Sequence, residues 1–473
     1  MADLDFSADN SILKNFAVEK SNLCKDLLSS NLFDEAIELF GLYDLGPLHY
    51  SEAEIKNRLT DSRFWLRRIR RQQSAIICQI ERSLGYVSKR KAVYCGDVSL
   101  NNRRVQQAKS QQFMESTLLQ NDEGLTVSLA EIASHTISNP VIRRHELMVR
   151  IRGFEEVAQL CGHSAVFVTI TTPSRMHVTK ASGKANPAFD GSTIQEAQYY
   201  LNHLWQMCRA KLDRDQLKPY GFRVVEPHHD GTPHWHLLLF MPPEQLAPFK
   251  KAINRYALLD SPDEKGAEQH RVKFIDIDPA KGSAAGYIAK YIAKNIDGFA
   301  VGTDTSGNKS TEMAERINAW AKASQIRQFQ QIGGPSVTVW RELRRIKQCN
   351  TPFFDLNEAH AAADSSNWAA FCLAMNSVGT IKKEHLLSPY YDIKPSEQVD
   401  YQTGEVIRLQ LNQYQEQRKA VLLGLHYGST RLKTRITTWR RQTAPPSEGV
   451  PPAGAGNRRA VETWTCVNNC TDD

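Results

Sequence analysis

The stretch Tyr220–Phe240, "YGFRVVEPHHDGTPHWHLLLF", constrains the fold of this chain more than any other. Two runs rich in β-branched, aromatic and aliphatic residues, "YGFRVVE" and "HWHLLLF", flank the turn-rich "PHHDGTP", so they predict two strands joined by a tight connection. "HWHLLLF" is apolar on both alternations, as a central strand covered on two faces must be. Any fold for the chain therefore needs a sheet with layers on both sides of this strand.

The flanking sequence supplies that sheet. "AVFVTITT" (Ala165 to Thr172) predicts a strand, and Thr193 to Asp215 has apolar residues at helical spacing. After the hairpin, Pro242 to Asp260 predicts a helix that Pro248 kinks or delays, and "RVKFIDID" (Arg271 to Asp278) is a fourth strand. The order β-α-β-β-α-β is the split βαβ arrangement of ferredoxin-like antiparallel sheets, an α+β class with the first and third strands in the centre. A further helix is expected from Ser283 to Asn295.

The regions around this core read differently. Residues 1–140 are expected to be mostly helical, with basic clusters at Arg63–Gln73, Ser88–Lys91 and Asn101–Arg104 interleaved with Phe64, Trp65 and Tyr94. Those clusters fit either a phosphate-binding footprint or solvated helix faces. The core domain is expected at 141–300. Residues 301–442 open with the polar "VGTDTSGNKS" and continue as a mixed, largely helical region that includes the basic "VWRELRRIKQ". Residues 443–473, with the Pro/Gly/Ala-rich "TAPPSEGVPPAGAGNRR", predict a disordered tail.

Composition limits the function classes. With 473 residues, 41% of them apolar, the chain is long enough for two or three domains and is not a disordered protein. Lys plus Arg number 59 against 52 for Asp plus Glu, a net charge of +7 that permits nucleic-acid binding. The acidic start "MADLDFSADNSILKNF" does not look like a signal peptide, and no apolar run nears the roughly 20 residues of a membrane helix. Nine scattered cysteines indicate a reducing compartment, and Cys466 and Cys470 read as free thiols rather than half of a zinc site. A cytoplasmic protein without a membrane partner is expected.

Chemistry concentrates in the hairpin. Residues two apart on a strand share a face, so His234 and His236 project together and Trp235 goes the other way. A symmetric hairpin sets Glu226 opposite His234, with Cβ atoms roughly 4.5–5.5 Å apart. Two imidazoles and a carboxylate then converge and leave positions open, as at a catalytic metal. His228 and His229, in the turn beside Asp230 and Gly231, are not first-choice ligands. A pair of hydrogen-bonded core histidines is the alternative, and jelly-roll metal proteins and hydrolases also carry H-x-H pairs.

The second cluster is "GYIAKYIAKN", where Tyr287 and Tyr291 lie four residues apart on one helix face and Lys290 and Lys294 repeat the spacing. A tyrosine beside a metal-polarised phosphodiester can attack phosphorus and form a phosphotyrosine ester. An ordinary amphipathic helix accounts for the same pattern, with Ile288 and Ile292 in the core and the tyrosines at its boundary.

Taken together, "FVTITTPSRMH" (Phe167 to His177), "EPHHDGTPHWHLLLF" and "YIAKYIAKN" resemble the three motifs of HUH endonucleases. Within these the chain looks like the two-tyrosine replication gene A proteins of temperate phages and prophages. The motifs span residues 165–295, and a looser likeness extends further, including "NPAFDG" (Asn186 to Gly191). The resemblance implies His234 and His236 as the histidine pair, Glu226 as the acidic ligand, and Mg²⁺ or Mn²⁺ as the metal. It implies single-stranded and supercoiled origin DNA as partners, and that Tyr287 or Tyr291 attacks single-stranded DNA at the origin to give a 5′-phosphotyrosyl adduct and a 3′-OH. The other tyrosine would cut the regenerated origin and close the displaced strand, with Lys290 and Lys294 holding phosphate or assisting proton transfer. Thr169 and Thr171 match the first motif, a supporting strand. No G-x-x-x-x-G-K-[ST] phosphate loop is present, so a host helicase and a replicative polymerase in the bacterial host cytoplasm are the implied partners. A transposase or relaxase of the same superfamily, a non-enzymatic origin-binding protein and a small-molecule metallohydrolase are the competing readings.

Overall fold

The structure, a computed structural model of the chain, describes residues 9–299, 310–347, 349, 351–393, 396–399, 406–409 and 411–442. The expected tail at 443–473, with Cys466 and Cys470, and most of "VGTDTSGNKS" lie outside the described residues.

Five strands build the central sheet: β1 (Ser164–Ile170), β2 (Tyr220–Pro227), β3 (Pro233–Met241), β4 (Val272–Ile277) and β5 (Phe329–Ile332). Their order is β4-β1-β3-β2-β5, and every neighbouring pair is antiparallel. Of the four strands legible in the sequence, the first and third are inside, as expected. β5 extends the sheet beyond β2, so that β2 also has neighbours on both sides. Every residue of β2 and β3 is buried accordingly. β1 stops at Ile170, two residues before the expected end, because Pro173 restricts Thr172 and cannot donate to a ladder.

Seven helices position the site: α1 (Ser62–Ser83), α2 (Asp97–Ser116), α3 (Pro140–Cys161), α4 (Ile194–Arg214), α5 (Pro243–Ala257), α6 (Ala284–Ile296) and α7 (Ser310–Ala323). A capping box sets the start of α4, in which Thr193 accepts from the Glu196 N–H and Glu196 reaches back to the Thr193 N–H. α5 starts at Pro243 and runs through Pro248, so that proline does not delay it. The first turn of α6 is satisfied twice: Ser283 Oγ accepts from Gly286 N at 3.0 Å, and Glu155 of α3 accepts from Ala284 N at 2.6 Å and Ala285 N at 3.2 Å.

Strand alternation divides the core in two. Phe167, Phe222, Leu238 and Phe240 face α3 and α6, where Phe154, Ile288 and Ile292 are buried with the C-terminal Trp340 and Trp368. Val168, Trp235, Leu237 and Leu239 face the other way, onto Leu201 of α4, Phe249 of α5 and Trp320 of α7. Because His234, His236 and Glu226 share parity with Leu238 and Phe222, the tyrosine helix and the histidines are on one face.

A separate N-terminal core holds Phe64 and Trp65 with Phe16, Phe40 and Leu59. Those aromatics of the first basic cluster are therefore packing residues, whereas Arg63, Arg67, Arg70 and Arg71 are exposed. No helix among the described residues is long and apolar enough to cross a membrane. All seven described cysteines are free.

Candidate active site

The β2–β3 register pairs Glu226 with His234 and Val224 with His236, and β1 sets Thr169 beside His236. One ligand atom from each of Glu226, His234 and His236 lies within 4.8 Å of the others. His236 Nε2 is 2.8 Å from His234 Nε2 and 3.5 Å from Glu226 Oε2. Thr169 Oγ1 holds the opposite ring nitrogen, Nδ1 of His236, at 3.0 Å, which turns Nε2 towards the carboxylate. Burial drives His234 well below the ordinary histidine range and nearby cationic groups add to this, so its imidazole is neutral. Burial alone would raise Glu226, but the Lys294 ammonium, His236 and Asn295 more than offset it and hold the carboxylate below its usual value.

Imidazole nitrogens and an ionised carboxylate aimed at one point fit a divalent cation with open coordination positions. Two Nε2 atoms at 2.8 Å share at most one proton, so at least one lone pair is directed at that point. His228 is not in this set. It stacks on His234 with ring centroids 3.9 Å apart, and burial pushes its pKa down to about 3.

Helix α6 lays both tyrosines over the same face. Tyr287 and Tyr291 are half-buried, with ring centroids 6.4 Å apart, and both pack on Phe167 at 4.6 and 5.3 Å. The Tyr291 ring is 4.3 Å from the His236 ring. Burial, with Tyr287 and Glu226 adding, pushes the Tyr291 phenol up to about 12. The two lysines diverge: Lys290 is exposed, with Nζ 5.0 and 5.1 Å from the two tyrosine rings, whereas Lys294 turns inward to Glu226 Oε2 at 3.5 Å. All seven residues singled out in the sequence are thus brought to one place.

The turn His228–Thr232 is clamped from outside the hairpin. Arg82, the penultimate residue of α1, is fully buried and donates to Asp230 O at 3.1 Å, Ser192 O at 2.6 Å, Met176 O at 2.5 Å and Thr232 Oγ1 at 2.9 Å. The Asp230 carboxylate accepts from Val178 N at 2.9 Å and Thr232 N at 3.1 Å and pairs with His177 Nδ1 at 3.3 Å. Burial opposes its ionisation, yet His177 and Arg82 hold it far below the usual carboxylate range. Trp320 Nε1 donates to Gly231 O at 2.8 Å, and Tyr94 N to His229 O at 3.3 Å.

A sequence model of the bacteriophage replication gene A protein matches residues 49–299, a span that contains the hairpin, Arg82 of its clamp and the tyrosine helix. The chain belongs to the replication gene A protein family. This member is 38% identical over 422 residues to a probable replication protein of Pseudoalteromonas phage PM2, covering 87% of this chain and 61% of the relative. It is 35% identical over 427 residues to the replication gene A protein of Escherichia phage 186, covering 88% and 59%. A probable replication endonuclease from a prophage-like region of Salmonella typhi is 33% identical over 353 residues, covering 71% and 44%. The chain spans 61% or less of the length of these curated relatives. No solved structure matches it.

Three further residues of the site have roles that the sequence motifs do not assign. Asn295, with no exposed surface, donates through Nδ2 to Glu226 Oε1 and to Tyr291 O, and its Oδ1 accepts from Gln328 Nε2 at 3.0 Å. Its position four residues after Tyr291 was the available signal, since that spacing shares a helix face. Gln328, just before β5, had no signal. Tyr94, legible only as an aromatic interleaved with the basic clusters, has its ring 4.9 Å from Lys294 Nζ.

Proposed function

We propose that this chain is a metal-dependent HUH endonuclease and strand transferase that nicks single-stranded origin DNA and starts rolling-circle replication. The observation that carries the reading is the stacking of the two-tyrosine helix directly on the histidine face, with Tyr291 4.3 Å from His236. The sheet order, with β1 and β3 inside, supports a split βαβ core of the HUH kind.

Glu226, His234 and His236 would hold Mg²⁺ or Mn²⁺, which supplies Lewis acidity to the scissile phosphate and stabilises charge developing on its oxygens. The protein's own residues do the rest. The phenolic oxygen of Tyr287 or Tyr291 attacks phosphorus, and the bond from phosphorus to the 3′ oxygen breaks. The phenolic proton leaves as the new bond forms, since Tyr291 is protonated at neutral pH, and the departing 3′ oxygen takes up a proton to become a free hydroxyl. Lys290, poised above both rings, meets the phosphate charge whichever tyrosine reacts. Lys294 keeps Glu226 ionised and aligned. After one round of synthesis the second tyrosine cuts the regenerated origin, and the 3′-OH freed by that cut attacks the phosphorus of the first phosphotyrosyl ester; the bond from phosphorus to the first tyrosine breaks, that tyrosine leaves as a protonated phenol, and the displaced strand is closed. Supercoiled origin DNA, a host helicase and a replicative polymerase, in the bacterial cytoplasm, complete the proposal.

The test is to incubate the chain with Mn²⁺ or Mg²⁺ and single-stranded DNA tiled across its own genetic neighbourhood. Denaturing gels and mass spectrometry should show a 5′-linked adduct on Tyr287 or Tyr291 that EDTA prevents. Tyr287→Phe with Tyr291→Phe should abolish the adduct, and His234→Ala should abolish cleavage while DNA binding persists. Cleavage without an adduct would make the protein a hydrolytic nuclease, and an adduct in the double variant would end the tyrosine mechanism.

A further inference from the structure

A cavity of about 490 Å³ opens between the C-terminal end of α1 and the start of α2. That volume falls within the roughly 300–1,000 Å³ of small-ligand pockets. Its wall is apolar: Ile77 and Ile80 from α1, Val98 from α2, and Tyr86 and Ala92 from the connecting loop. Ile80, Tyr86 and Val98 are 51, 53 and 54% exposed, a concentration of uncovered apolar surface in one place.

Glu81, Asp97 and Lys91 are the charged residues of the lining. Both carboxylates at its edge are already engaged. Glu81 accepts from Val98 N at 2.8 Å and from Ser99 N at 3.2 Å, and Asp97 pairs with Arg316 at 2.7 Å. The loop carries Lys89, Arg90 and Lys91 in succession, all exposed, and none forms an ion pair among the described residues. Lys91 Nζ lies 5.1 Å over the Tyr86 ring, so a cation and an aromatic face are presented together. The same loop continues to Tyr94, which touches Lys294 of the tyrosine helix and bonds the hairpin turn.

We propose that the cavity takes an unpaired nucleobase of single-stranded DNA, stacked on Tyr86 against Ile77, Ile80 and Val98, while Lys89, Arg90 and Lys91 meet the flanking phosphates. A base inside a duplex has no free face to offer, so the cavity selects single strands. This inference rests on the reading of the protein as a single-strand nuclease, and names where the bases beside the cut are held.

The experiment compares two probes by fluorescence anisotropy with the full chain: oligothymidylate of about twenty nucleotides and an abasic oligomer of equal length. Tyr86→Ala should weaken the thymidylate by about tenfold, the size of one lost base stack, and leave the abasic oligomer unchanged. Replacing Lys89, Arg90 and Lys91 by alanine should weaken both probes and lower the salt dependence. Photocrosslinking with 5-iododeoxyuridine should label Tyr86. If Tyr86→Ala and Ile80→Ser both keep the full preference for bases over abasic backbone, the inference is wrong and the patch belongs to a protein partner. A chain that forms the tyrosine adduct normally but behaves in that way would lose only this inference. A wild-type chain that binds no single-stranded DNA would take down the nuclease reading as well.

Discussion

At Asn295 one buried amide serves both parts of the site, donating to Glu226 on the strand and to the Tyr291 carbonyl on its own helix, while Gln328 fixes its other end. Groups that orient a ligand in this way typically contribute 10- to 100-fold to metal affinity, since without them the carboxylate must be ordered as the ion binds. Asn295→Ala should therefore weaken Mn²⁺ binding by about tenfold or more, read by electron paramagnetic resonance of free Mn²⁺ during titration. Unchanged affinity would mean that the amide supports only the fold. Glu226, His234, His236, Tyr287, Lys290, Tyr291 and Lys294 are legible in the sequence because their spacing repeats a strand or a helix turn. Asn295 was less legible because an amide at a helix end is common, and its partner Glu226 lies 69 residues away.

The hairpin is the element on which the ligand set depends, and Gly221 shows how little tolerance it has. Its φ is +150°, and a Cβ there would lie 2.0 Å from the Leu238 carbonyl oxygen of β3. Backbone cannot give way as a flexible side chain can. Gly221→Ala should cost roughly 1–3 kcal/mol in urea unfolding and shift β2 against β3, lowering nicking in parallel. A variant with wild-type stability would show that β2 is free to slide. Among the elements, β1 to β4 and α4 to α6 were legible from their periodicity. β5 was not: "FQQI" has four half-buried residues and no alternation, and it is a strand only because the edge of β2 offers unpaired backbone groups.

Across the whole molecule, the Arg82–Asp230 clamp ties α1, the segment Met176–Thr179, Ser192 and the hairpin turn into one body. Asp230→Ala should cost roughly 3–5 kcal/mol at pH 7, because it strands buried donors and removes the charge that His177 and Arg82 face. The folded pKa of Asp230 is depressed below its unfolded value of about 3.9, so its contribution is complete above that pH and is lost as pH falls through the folded pKa. Urea unfolding at a series of pH values should show the wild-type advantage level from pH 7 to about 5 and shrinking below about 4. An advantage that grew on acidification would contradict the assignment.

By itself the sequence determined the antiparallel core strands, the pairing of Glu226 with the histidine face, and the common face of the two tyrosines. Each of these follows from a period of two or 3.6 residues, a property of the backbone that no distant contact has to supply. Only the tertiary structure decided that Lys294 turns in to Glu226 while Lys290 stays out, that Phe64 and Trp65 are core, and that Arg82 reaches the turn from 148 residues away. Those outcomes depend on which buried charge finds which partner, and desolvation makes that choice only when the whole chain has closed around it.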